Sequence, residues 1–159
     1  MGNTTVHTKA IMNLTSHTTD VSTKLNIELT TEESFAGIML AAAAVDGGIA
    51  DKELQNLRTT LKRTKLFEEK TDTSITQTLS LLLQIIKAHG VDTLLELAVP
   101  KLPDYLSATV FAIATDIAIS DGSILDEELS ILSQLSDRLS IPEETVDRIT
   151  EVMLIKNKG

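Results

Sequence analysis

The phrase DGGIADKEL at residues 46–54 returns as DGSILDEEL at 121–129, 75 positions later, with Asp, Gly, Ile, Asp, Glu and Leu in the same places. Aligning Asp46 with Asp121 also brings Ile38 onto Ile113, Leu57 onto Leu132 and Arg63 onto Arg138. Each copy follows an apolar stretch, FAGIMLAAAAV in one and YLSATVFAIATDIAI in the other, and each precedes a stretch with leucines at helical spacing. A helix with no polar side belongs at the centre of a bundle, and alanines on it let neighbouring backbones come close. The repeat therefore predicts two helix-turn-helix halves, hairpins around 35–64 and 104–139, with their apolar inner helices packed together about a pseudo-twofold axis.

The remaining punctuation fills in an all-α, single-domain bundle of about seven helices over 31–159. Thr30 and Glu33 form a capping-box pattern at the start of the first inner helix. An amphipathic helix is expected over Asp51–Arg63, buried through Leu54, Leu57 and Leu61. A longer one is expected over Asp72–His89, burying Leu79, Leu82, Leu83, Ile85 and Ile86 and stopped at Gly90. Asp92 is expected to cap a short helix over LLELAV that ends near Pro100. The second half should run as an inner helix over 104–119, an outer helix over Asp126–Leu139 and a last helix opened by Pro142 and running toward Ile155. Residues 1–30 form a threonine-rich arm. Leu25, Ile27 and Leu29 alternate with Asn26 and Glu28, which predicts an extended segment laid on the domain, preceded by a short helix.

Composition removes whole classes of function. The chain has no cysteine, which excludes disulfides, thiolate-bound zinc, iron–sulfur clusters and cysteine nucleophiles. A net charge of -9 repels nucleic acid and anionic lipid and favours cations or basic partners. The apolar run 35–45 is too short to cross a bilayer, which takes about 20 residues of helix. No secretory leader is recognisable at the start, and Val6 stands where a myristoylation signal needs Ser or Thr, so the expected compartment is the cytoplasm. A basic stripe of Arg58, Lys62, Arg63 and Lys65 reads first as a solvated face paired with local acids, and second as a docking patch for an acidic partner.

The spacing D-G-x-I-x-x-x-E coincides with the second half of an EF-hand loop. The earlier ligand positions hold Ala42 and Ala44 in one copy and Ile117 and Ile119 in the other, so each copy alone offers too few carboxylates for a calcium cage. A cation becomes feasible if the two turns face one another and pool Asp46, Glu53, Asp121 and Glu128. Converging carboxylates repel, and protonation or a metal relieves that. Both aspartates also follow helix C-termini, where the dipole is already negative. Oxygen donors favour calcium, with magnesium or manganese as alternatives, over zinc or copper. Turn chemistry accounts for the same residues without a metal: Asp-Gly is a turn dipeptide, and a Glu in a helix's first turn can reach back to the backbone. Asp116, set in the apolar inner helix, either pairs with a base from another helix or adds a fifth carboxylate.

Through ESFAGIMLAAAAVDGGIADKELQNL and FAIATDIAISDGSILDEELSILSQL the chain resembles the TerB-like tellurite-resistance proteins, over most of 31–156. That resemblance implies an all-helical cytoplasmic protein whose two halves bind a divalent metal, through Asp46 and Glu53 on one side and Asp121 and Glu128 on the other. It also implies protein partners in a tellurite or general stress response, including membrane-associated ones, with no organic cofactor. The arm matches no motif of the family. The competing expectations are an interaction module with purely structural turns and, third, a metal-dependent enzyme. The enzyme is disfavoured because no Glu-x-x-His pair occurs and His7, His17 and His89 lie outside the repeated phrases.

Overall fold

The computed structural model describes residues 21, 22, 24–44, 48–120 and 122–159. They form seven α-helices: α1 (Thr31–Ala43), α2 (Asp51–Arg63), α3 (Asp72–His89), α4 (Val91–Ala98), α5 (Ser107–Ala118), α6 (Asp126–Arg138) and α7 (Glu143–Lys156). Short 3-10 turns occupy Lys65–Phe67, Val99–Lys101 and Asp104–Leu106, and no strand occurs among the described residues.

Helix α1 is the axis of the molecule. Its start is fixed by Thr30, whose Oγ1 accepts the Glu33 amide at 3.1 Å. All nine residues from Ser34 to Ala42 are buried, so every side of the helix meets protein. Its largest interfaces are with α5 and α4, and α3, α2 and α6 complete the ring. The closest approach is at Gly37, where an added Cβ would stand 3.3 Å from Leu94 Cδ1 and 3.4 Å from Leu82 Cδ2. Phe35 meets Phe67 with ring centroids 6.3 Å apart, a tilted pair that seals the turn after α2. One cluster of buried residues runs from Leu29 to Leu139.

The outer helices bury one face each. Helix α2 buries Leu57 and Leu61 with Leu54 partly covered, and α3 buries Ile75, Leu79, Leu82 and Ile85 while Leu83 and Ile86 are only partly covered. Gly90 ends α3 with φ 89, a left-handed turn open to glycine. This turn starts α4 at Val91, so Asp92 sits inside the first turn and is not its cap. Helix α5 begins at Ser107, three residues later than the expected 104, because the chain after Pro103 first makes a 3-10 turn. Unlike α1, it is half-wrapped: Val110, Phe111, Ala114, Thr115 and Ala118 are buried, whereas Ile113 and Ile117 are partly exposed.

Of the arm, residues 1–20 lie outside the described residues. In the remainder a short helical stretch precedes a non-helical segment, as expected, but the change comes after Leu25. Leu25 is helical, Asn26 turns with φ 51, and Leu29 is buried in the core. The Ser22 hydroxyl donates to the Ile27 carbonyl at 2.9 Å, and Lys101 pairs with Glu28 at 2.8 Å.

In the basic stripe, Lys62 is paired with Asp72 across the α2–α3 turn. The hydrogen bond from Lys62, then its charge, with a smaller contribution from Arg58, hold the Asp72 carboxyl below the usual carboxylate range. A depressed pKa means that the pair contributes at neutral pH and is lost as pH falls through the folded-state pKa of Asp72. Lys62→Met is expected to return Asp72 toward its ordinary titration, read by carboxyl NMR against pH. Both groups are well exposed, so the effect on overall stability should be small.

Candidate functional site

The two hairpins bring their turn ends to one place. A cleft of about 470 Å³ is lined by Ala42 and Ala43 at the end of α1 and by Ile117 and Ala118 at the end of α5. Glu53 from the first turn of α2 and Glu128 from the first turn of α6 also face it, as do Asp116, Lys156 and Asn157. Three helix C-termini and two helix N-termini thus border the same space. The C-termini carry partial negative charge that favours a cation, and the N-termini favour carboxylates.

The carboxylates answer that field in a definite way. Glu53 Oε2 accepts the Ala50 amide at 3.1 Å, and Glu128 Oε2 accepts the Leu125 amide at 2.8 Å. Each is a side chain three residues into a helix satisfying a free N–H at its start. Ala50 and Leu125 cannot return the bond with a side-chain acceptor of their own, so each box is closed from the Glu alone. Asp116 is engaged from another helix: Lys156 Nζ donates to both carboxylate oxygens at 3.0 and 3.1 Å, and Asn157 Nδ2 donates to Oδ1 at 2.7 Å. Lys156 therefore places a tethered cation where the three C-termini converge.

Of the five sequence-predicted ligands, Glu53, Asp116 and Glu128 line the cleft, while Asp46 and Asp121 lie outside the described residues. Among the described residues, no group of three or more His, Asp or Glu side chains could hold a metal ion. Sequence reasoning missed Lys156 and Asn157, although an aspartate in an apolar helix already demanded a donor from elsewhere.

The glycine of the second turn has its own structural cause. Gly122 adopts φ 83, and a Cβ there would meet the Asn157 carbonyl at 3.3 Å. Gly122→Ala is expected to cost about 1–2 kcal/mol, since an L side chain must hold left-handed backbone against a fixed carbonyl. A drop in urea midpoint at unchanged m-value would show it.

Compared with protein-family models, with curated proteins and with solved structures, the chain matches none. No described helix is long and apolar enough to cross a membrane.

Proposed function

We propose that the protein is a non-enzymatic, TerB-like cytoplasmic protein that binds a divalent cation between its two acidic turns and acts through protein partners in a tellurite or stress response. The observation that carries the reading is the convergence, on one cleft, of the helix ends that flank the two repeated turns. Asp46, Glu53, Asp121 and Glu128 would supply oxygen ligands, the two glutamates through the Oε1 atoms that their amide bonds leave over. Asp116 joins only if Lys156 is displaced. Calcium is the first choice and magnesium or manganese the alternatives. The two hairpins are, on this reading, related by a pseudo-twofold axis, supported by the packing of α1 on α5 and by the shared cleft.

The test is thermal unfolding of chelator-treated protein titrated with calcium, magnesium, manganese and zinc. An ion at tenfold its Kd should add about 1.4 kcal/mol, which for a chain of this size raises the midpoint by roughly 3–6 °C. The rise should vanish in Asp46→Asn with Asp121→Asn and should grow in Lys156→Gln, which removes the competing internal cation. A flat response to every ion rejects the cation.

The amide bonds of Glu53 and Glu128 favour a second reading, in which the turns are structural and the protein is an interaction module. It predicts partner capture that the same double variant leaves intact.

A further inference from the structure

The other face of α6 opposes α7 across a second opening, a groove of about 810 Å³. No residue lines both the groove and the cleft. Phe111 from α5 forms its floor, and Leu129, Leu132, Val146 and Leu154 form its walls. Leu129 and Leu154 are 48% and 39% exposed, large apolar groups facing water from opposite walls. Helix α7 packs chiefly on α5 and carries no buried residue over its 14 positions, so this side of the bundle is unfinished.

The rim has one sign of charge. Asp137, Glu143, Asp147 and Glu151 line the groove, no basic side chain does, and none of the four is in an ion pair among the described residues. Glu143, Asp147 and Glu151 are spaced i, i+4, i+8 along α7, an arrangement in which like charges weaken a helix by a few tenths of a kcal/mol per pair. The apolar bed and the uncompensated rim together specify a guest with apolar residues on one side and cations beside them.

We propose that this groove receives a basic amphipathic helix of a protein partner. The lined stretch of α7, from Glu143 to Leu154, is about 17 Å long and matches three turns of a guest helix. Leucine-type anchors at helical spacing would cover Leu129, Leu154 and the Phe111 floor, and flanking Lys or Arg would neutralise the rim. The assignment stands apart from the cation reading and shares with it only the idea of protein partners.

The experiment uses the full chain and a fluorescein-labelled peptide of about twelve residues, leucine at helical spacing and lysine elsewhere, read by anisotropy. The expected result is saturable binding that weakens at least roughly tenfold, about 1.4 kcal/mol, in Leu129→Ser with Leu154→Ser. Both side chains are well exposed, so far-UV circular dichroism should show the helices intact. Asp147→Asn with Glu151→Gln should also weaken binding and flatten its salt dependence. Four results overturn the proposal: equal binding of a scrambled peptide of the same composition; affinity unchanged by the leucine substitutions; a concentration-dependent dimer that those substitutions abolish, which would make a second copy the occupant; or NOE contacts from residues 1–20 to the Leu154 methyls without peptide, which would make the chain its own guest.

Discussion

Replacing Phe35 by alanine is expected to destabilise the protein by about 3–5 kcal/mol, a large part of the roughly 5–15 kcal/mol that holds a domain of this size. The ring is 1% exposed on the central helix, and its removal also breaks the tilted pair with Phe67. Helices α3, α4 and α5 pack α1 from several sides, so the void left behind has little freedom to collapse. Urea denaturation should show a lower midpoint at constant m-value, and Phe35→Leu should recover most of the loss. A cost below about 1 kcal/mol would mean that α1 does not organise the core.

Gly37→Leu is expected to cost about 3 kcal/mol for the opposite reason, overpacking. The first carbon of any side chain already stands at 3.3 Å from Leu94 and 3.4 Å from Leu82, so the remaining atoms can be placed only by pushing α4 and α3 away from α1. Gly37→Ala separates the two contributions. Alanine gains about 1 kcal/mol of helix propensity over glycine, and this is set against a contact that Leu94 must relax to accept. The expected net change is near zero. The pair of variants distinguishes a glycine kept for space from one kept for backbone freedom, since α1 is regular there.

Much of the fold was legible because the signals were local. Helices α2 and α3 begin and end where the sequence predicts, Asp51–Arg63 and Asp72–His89, and α1 starts at the Thr30 cap. The misplaced boundaries lie where a competing turn intervenes: Gly90 starts α4 before Asp92 can cap it, and Pro103 leads into a 3-10 turn that delays α5. The arm was legible in part: a helical stretch does precede a non-helical segment whose Leu29 is buried, but Leu25 is still helical and Asn26 turns, so the change comes later than the alternation reads.

The cleft was legible in part. Duplication of the turn, with apolar helices before both copies, raised a shared space for Glu53 and Glu128 as a condition for cation binding, and both side chains line the cleft. The partner of Asp116 was not, because Lys156 lies 40 positions away on a helix to which the sequence assigned no role. The groove gave no signal of its own. Leu129 and Leu154 belong to the apolar faces of their helices, and only their placement shows that nothing among the described residues covers them fully.

The pairing of α1 with α5 carries a cost in time. Translated at about 5–20 residues per second, the end of α5 follows the end of α1, 75 residues earlier, by roughly 4–15 s. Throughout that interval the helix that buries the most residues is without its largest interface. Until α5 arrives, the cover can come only from α2, α3 and, last of these, α4.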